Sequence, residues 1–206
     1  MLKFDDAAVK QIAATIREIE SRSSAELVVE IRGRSGSYAH ADHRLAALLA
    51  IVSLIVLVFM PFEVPPIAVI LDPIAVYLAG LMFSRRSDPL RRLFTKSAER
   101  AQAVRTQAAA LFHDRGIANT ASETGILFYA SLLERRIEVL ADRGLLRRLV
   151  PHEWNAQLAD LRDAHSLDPE SVIAALQRLG AMLARDVPVG EGDVDELSSV
   201  PEIKLK

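Results

Sequence analysis

The chain has 206 residues, half of them hydrophobic, with 25 basic and 27 acidic side chains and no cysteine. The lack of cysteine excludes disulfide bonds, thiolate zinc sites, cysteine nucleophiles and Cys-ligated iron–sulfur clusters. The formal net charge of −2 gives no electrostatic reason to expect a nucleic-acid partner. The length allows one domain of ordinary size, or a smaller domain with a membrane insert.

The first part of the chain predicts a helix followed by a strand. Apolar residues recur at every third or fourth position from Phe4 to Ile19, which is the spacing of a helix with one buried face. The β-rich run Glu26-Leu-Val-Val-Glu-Ile-Arg follows and ends at Gly33, as expected of a strand. The N-terminus has neither the apolar core nor the cleavage site of a signal peptide, so we expect this segment to begin in the cytoplasm.

Two long apolar runs follow the strand and predict a membrane hairpin. The run from Leu45 to Phe62 carries no charge, and the run from Ile67 to Phe83 carries only Asp72. As helices, each would be about 26 Å long, slightly shorter than a ~30 Å hydrocarbon core. A short turn with two prolines separates them, so we expect an antiparallel pair. The alternative, two core helices of a soluble protein, would leave a polar stripe that the first run lacks.

The charges around the hairpin predict its orientation. Basic residues lie on both flanks, whereas the turn at residues 63–66 has none and contains Glu63. The positive-inside rule then predicts a multi-pass protein of the bacterial inner (cytoplasmic) membrane with both termini in the cytoplasm.

We expect Asp72 near the far interface; alternatively, Asp72-Pro73 could mark a broken helix that lines a polar cavity.

The remaining sequence predicts three helices and two strands. Helices are expected to open near Asp88, Pro151 and Asp168, and apolar strands at residues 124–131 and 136–142 are joined by a four-residue turn, which makes them antiparallel.

Three strands cannot form two independent sheets, so we expect the hairpin to interrupt one α/β domain with a small mixed sheet flanked by helices. Residues 1–44 would form the first part of this domain, residues 45–84 the transmembrane hairpin, and residues 85–187 the second part. The polar composition of residues 188–206 predicts a flexible tail.

Several short motifs, taken in order, resemble the TPM domain family. They are Ser24-Ala-Glu-Leu-Val-Val29, Phe112-His-Asp-Arg-Gly-Ile-Ala-Asn-Thr120, Gly125-Ile-Leu-Phe-Tyr-Ala-Ser131, Glu134-Arg-Arg-Ile-Glu-Val139, Asp142-Arg-Gly144 and Trp154. The family includes bacterial membrane proteins of unassigned activity and a thylakoid-lumen protein of photosystem repair described as an acid phosphatase. The resemblance implies the same fold, a small mixed sheet flanked by helices, over about Phe4 to Arg185 without the hairpin.

Carboxylates at strand ends are the first candidate site. Asp142-Arg143-Gly144 ends one predicted strand, Glu26 begins another and Glu123 precedes a third. Together they could hold a divalent cation, Ca²⁺ or Mg²⁺, through oxygen ligands, or a phosphate through Arg143. The alternative is a tight turn in which Asp142 caps the backbone and Gly144 relieves a positive φ.

A second candidate is His40-Ala-Asp42-His43, just before the first apolar run. His and Asp at this spacing could bind a divalent metal. The alternative is a hydrated polar flank that ends the membrane span.

The sequence is compatible with two functions, one enzymatic and one not. The first is a non-catalytic interaction or quality-control module of a membrane complex, with the lipid bilayer and a membrane protein as partners. The second is a weak phosphatase or divalent-metal-dependent hydrolase that uses the strand-end carboxylates.

Overall fold

The computed structural model describes residues 4–61, 63–120, 122–162, 166–190, 197 and 200–205. The elements, in chain order, are α1 (Asp6–Glu20), β1 (Glu26–Arg32), α2 (Ala39–Phe59), α3 (Pro66–Arg85), α4 (Asp88–Leu93), α5 (Ser97–Asp114), a 3-10 turn (Ile117–Asn119), β2 (Gly125–Ser131), β3 (Arg136–Ala141), α6 (Arg143–Arg148), α7 (Pro151–Arg162), α8 (Pro169–Asp186) and β4 (Glu202–Lys204).

The chain divides into two compact units. One combines Met1–Ser35 with Ala101–Lys206 and is called the sheet unit; the other is Gly36–Arg100 and is called the hairpin unit.

The sheet unit is built on a four-stranded mixed sheet with the order β3-β2-β1-β4. β1 runs parallel to β2, with Glu26 opposite Gly125, and β2 pairs antiparallel with β3. The predicted small mixed sheet flanked by helices is therefore confirmed.

The tail contributes a fourth strand that the sequence does not predict. β4 has three residues and pairs in parallel with residues 30–32 of β1. A strand of this length is too short to show an alternating pattern, and its formation depends on the free edge of β1 rather than on local propensity.

Both faces of the sheet are covered. On one face, apolar side chains of α1, α7 and α8 pack on alternate residues of the strands; among them are Ile12, Trp154, Leu176, Leu27 and Phe128. α1 and α8 approach closely because Gly180 has no side chain: a Cβ there would lie 2.4 Å from Ile19 Cγ1. On the other face, Val104, Ala108 and Leu111 of α5 pack on Leu127 and Tyr129.

In the hairpin unit, α2 and α3 lie antiparallel. Their close approach is possible at Gly80, where a Cβ would lie 3.1 Å from Ala46 Cα. Ser53 donates a hydrogen bond to Asp72 from one helix to the other. α2 begins at Ala39, six residues before the predicted start of the apolar run.

Both helices are long and apolar enough to cross a membrane. They contain 21 and 20 residues, and only 17% of the most apolar window of each is buried. Buried residues in these helices lie near the open end of the hairpin: Ala41, Asp42, Leu45, Ala46, Gly80 and Ser84.

Candidate functional site

The strand-end residues Glu26, Gly125 and Asp142 lie at one end of the sheet. Glu26 is paired with Gly125 on one side, and the backbone N–H of Asp142 donates to the Gly125 carbonyl at 2.9 Å on the other. The residue between the two carboxylates must be glycine, since a Cβ at position 125 would lie 2.0 Å from the carbonyl oxygen of Ile117. Ile117 therefore occupies the space over Gly125, and Glu26 and Asp142 stand two strand spacings apart, about 10 Å between backbones.

Asp142 is one of two buried carboxylates at this end of the sheet, the other being Glu26. Asp142 is 9% exposed and caps α6, where its Oδ1 accepts from the Arg143 N–H at 2.6 Å. Its Oδ2 is buried and has no hydrogen-bond partner among the residues that the structure describes. Burial of a carboxylate oxygen without a hydrogen-bond donor costs free energy. This atom is therefore suited to accept a hydrogen bond from a ligand or to coordinate a cation.

Glu123 and Gly144 form a close backbone contact beside Asp142. Glu123 has φ +52° and its carbonyl accepts from the Leu145 N–H at 3.0 Å. A Cβ on Gly144 would lie 2.5 Å from Glu123 Cβ and 2.7 Å from Glu123 O. Glycine is thus needed at 144 for close packing, while the positive φ belongs to Glu123. The sequence interpretation, in which Gly144 relieves a positive φ, is therefore wrong: Gly144 is required by its close approach to Glu123 and not by its own φ.

The remaining strand-end groups have other partners or face outward. Glu26 is 5% exposed and accepts from the Leu197 N–H at 3.0 Å. The half-exposed Glu123 side chain lies 3.8 Å from Arg147, and Arg143 is exposed. Within the described residues, no group of three or more His, Asp or Glu side chains is placed to hold a metal ion.

The second sequence candidate lies at the open end of the hairpin, and its three members turn to different partners. His40 Nε2 lies 2.9 Å from Glu99, and His43 Nδ1 lies 2.7 Å from the Tyr77 hydroxyl. The buried Asp42 carboxylate accepts two hydrogen bonds from Arg91, at 2.9 and 3.0 Å.

A polar cluster that the sequence does not reveal lies at the opposite end of the sheet. We call Ser35, Tyr129, Ser131 and Glu134 the tyrosine network. The Tyr129 hydroxyl lies 2.8 Å from Ser35 Oγ, which donates to Ser131 Oγ at 2.7 Å. Ser131 Oγ donates to Glu134 Oε2 at 2.5 Å, and the Ser35 N–H donates to Glu134 Oε1 at 2.9 Å. The network thus fixes Ser35, the last residue of the sheet unit before the hairpin unit begins.

Burial shifts the ionisation of Tyr129 in this network. Tyr129 is fully buried, and burial raises its pKa, an effect that its hydrogen bond with Ser35 opposes only in part. The phenol therefore remains protonated and available as a donor across the physiological range.

Glu30 forms a second buried cluster beside the network. It is 0% exposed and is held by Arg32 Nε at 2.7 Å and by Arg115 at 3.2 Å. Arg115 also contacts Glu202 of β4. The alternation of residues in β1 places Glu30 on the same face of the sheet as Glu26 and Val28. From the sequence alone, a face with two glutamates is expected to be exposed to solvent. The structure shows that α5 covers it, which is why the burial of Glu30 was not predicted.

Comparison with known proteins supports the fold. No family model matches the chain, and no curated protein sequence matches it. Among solved structures, the chain is similar to the NMR structure of BA42 protein from the psychrophilic bacterium Bizionia argentinensis sp. nov., with a TM-score of 0.54 and 14% identity over 98% of this chain and 96% of that chain. At this identity the likeness concerns the fold alone: a mixed α/β sheet flanked by helices.

Proposed function

We propose that the protein is a membrane-anchored, TPM-like α/β domain that acts as a non-catalytic interaction or quality-control module of a membrane complex. The observation that carries the proposal is the exposure of α2 and α3. Large apolar side chains such as Ile55, Phe59, Ile70 and Phe83 are each more than half exposed. Water is a poor solvent for a surface of this kind, and a lipid bilayer covers it without leaving backbone groups unpaired.

The sheet unit supports an interaction role through its rigidity. The buried Glu30 carboxylate is paired with Arg32 and Arg115, and the four members of the tyrosine network are hydrogen-bonded to one another. A fully engaged polar network specifies one arrangement of the chain, which suits a surface that must present a fixed shape to a partner. The basic flanks of the hairpin favour a cytoplasmic location for this unit at the bacterial inner membrane.

The interaction role is tested by purification of the full chain from its native membranes after crosslinking. We expect one membrane protein to be recovered in near-stoichiometric amount in independent preparations. Separate variants replace sets of exposed residues of the sheet unit. At least one set should abolish recovery of the partner protein while leaving the unfolding transition of the chain unchanged. Repeated recovery of lipid alone would contradict the proposal.

A second candidate function rests on Asp142. A weak phosphatase or cation-dependent hydrolase would use Asp142 Oδ2, which has no hydrogen-bond partner among the described residues, as a hard oxygen ligand for Ca²⁺ or Mg²⁺. Glu26 lies at the same end of the sheet, two strands away on β1, and would be a second, more distant carboxylate of the site. The cation would polarise a phosphoryl oxygen, and the exposed Arg143 would hold the phosphate.

This candidate is tested by calorimetric titration of the full chain with CaCl₂ and MgCl₂, together with hydrolysis of a generic phosphomonoester. Asp142→Asn should abolish both cation binding and turnover, whereas Asp160→Asn, a change at an exposed position on α7, should affect neither. Turnover that survives Asp142→Asn would remove this site from consideration.

A further inference from the structure

The chain segment that leaves α3 is strongly basic. Residues 85–100 contain six Lys or Arg side chains and only two acidic ones. They form the last residue of α3, all of α4 and the first turn of α5. A concentration of positive charge directly after an apolar helix places these cations at one end of the proposed membrane span.

Two of the six cations serve the structure of the hairpin unit itself. Arg91 is bound to the buried Asp42. Arg100 donates to the carbonyls of Arg92 and Thr95 at 2.6 and 2.7 Å. The first contact fixes α4 against α2, and the second joins the end of α4 and the turn after it to the first turn of α5.

Three of the other four cations make no such contacts, although the charge of Arg85 acts on Asp42. We call Arg85, Arg86 and Lys96 the basic collar. All three are exposed, and within the described residues their side chains show no hydrogen bond or close ion pair. Their charges are therefore available to an external anion, whereas Arg91 and Arg100 are not.

Exposed apolar side chains lie next to the collar along the chain. Leu93 at the end of α4 is 76% exposed, and Phe83 and Met82 in the last turn of α3 are 64% and 59% exposed. Cations beside exposed apolar side chains are the composition of a segment that lies at the lipid headgroup boundary. α3 is about 30 Å long, so its end would reach that boundary from the far side of the hydrocarbon core.

From these observations we propose that the basic collar binds the headgroups of anionic phospholipids. The proposal rests on the membrane insertion in the proposed function. The occupant is a lipid surface rather than a free anion, because charge and exposed apolar surface occur together and continue the apolar surface of α3. A phosphodiester headgroup supplies the negative charge, and its acyl chains cover Phe83 and Leu93.

The test is electron spin resonance of the full chain reconstituted in phosphatidylcholine vesicles that contain spin-labelled lipids. Spin-labelled phosphatidylglycerol should associate with the protein about fivefold more strongly than spin-labelled phosphatidylcholine at low salt, as expected for about one net charge contact. The preference should fall toward unity near 1 M salt, where the screening length is about 3 Å.

The triple variant Arg85→Ala, Arg86→Ala, Lys96→Ala should lose the preference. The matched control Lys10→Ala, Arg17→Ala, Arg22→Ala removes the same charge from exposed positions on and just after α1 and should retain it. Arg85→Lys with Arg86→Lys keeps the charge and should also retain it, which separates a loss of binding from a loss of folding.

The outcomes separate this inference from the function on which it rests. Flotation of the vesicles and resistance to alkaline extraction report insertion. A protein that inserts but binds both lipids equally, or a triple variant that keeps the preference, would overturn the lipid inference alone. A protein released from the vesicles by alkaline extraction would overturn the membrane proposal as well.

Discussion

Arg91 forms a two-point ion pair with Asp42, and this pair joins α4 to the first turn of α2. Arg91 Nε lies 2.9 Å from Oδ1 of the carboxylate, and Nη2 lies 3.0 Å from Oδ2. Ser84 Oγ, near the end of α3, donates to the same Oδ1 at 2.7 Å. One buried carboxylate therefore holds three helices of the hairpin unit together.

Arg91→Ala is expected to lower the free energy of unfolding of the hairpin unit by about 3–5 kcal/mol, because it leaves a buried carboxylate without its counterion. Circular dichroism during titration of the detergent-solubilised chain with SDS measures the change. Arg86→Ala, at an exposed position nearby, should be nearly neutral. If Asp42→Ala and Arg91→Ala are strictly additive in the double variant, the pair does not stabilise the helices as described.

Tyr129→Phe should destabilise the sheet unit by about 1–2 kcal/mol near neutral pH, since it leaves Ser35 Oγ without one of its buried hydrogen-bond partners. Urea unfolding, followed by the fluorescence of Trp154, measures this change in the free energy of unfolding. Tyr77→Phe, which alters the hairpin unit instead, is the control and should leave this transition unchanged.

Because the pKa of Tyr129 is raised, the stability of the sheet unit should fall at high pH. Burial makes the folded-state pKa higher than the unfolded value of about 10, so the stabilisation is complete below pH 10 and declines as the pH rises through the folded pKa. The native protein should therefore lose more stability between pH 9 and 11 than the Tyr129→Phe variant. Equal losses in the two proteins would show that Tyr129 does not titrate as expected.

Gly144→Ala is expected to destabilise the sheet unit by about 1–3 kcal/mol, because its Cβ would overlap Glu123. The effect should appear as a lower urea midpoint with an unchanged slope. Gly190→Ala provides the matched control, since its Cβ would meet nothing closer than Ser24 Oγ at 3.9 Å. A neutral Gly144→Ala would mean that the loop before β2 readily moves away from α6.

Asp168→Ala should lower the free energy of unfolding by about 1 kcal/mol, because the Asp168 side chain caps α8 by accepting a hydrogen bond from the Ser171 N–H at 2.7 Å. The hydrogen bonds that the Asp168 carboxylate accepts from Ser171 and Ser166 hold its pKa below its usual range. The stabilisation by Asp168 is therefore present above the unfolded pKa of about 4 and is lost as the pH falls through the lowered value. Unfolding at pH 7 and pH 3 checks this. The difference between the native chain and Asp168→Ala should be larger at pH 7; a difference independent of pH would contradict the assignment.

The elements that the sequence predicted are those with a strong local pattern. The apolar runs predict α2 and α3 because charge is almost absent over many consecutive residues, and the Asp168-Pro169 start predicts α8 because capping is local. β4 was missed because three residues carry no periodic signal. Its pairing depends on an edge of β1 more than 170 positions earlier in the chain.

The sites were predicted less completely for the same physical reason. Glu26 and Asp142 could be placed at one end of the sheet from strand order alone, and the structure puts them there, on either side of Gly125. The tyrosine network joins Ser35 to Tyr129, 94 positions away. Neither residue carries a local signal, since their partnership arises only when β1 and β2 pair in register.

The most direct test of the account is the accessibility of cysteines introduced into a chain that has none of its own. Glu63→Cys lies in the turn between α2 and α3, and Lys10→Cys lies on the exposed face of α1. In spheroplasts, a membrane-impermeant maleimide should label the Glu63→Cys variant at once and the Lys10→Cys variant only after lysis. Equal labelling of both variants before lysis, or labelling of Lys10→Cys alone, would contradict a hairpin that crosses the membrane with the sheet unit in the cytoplasm.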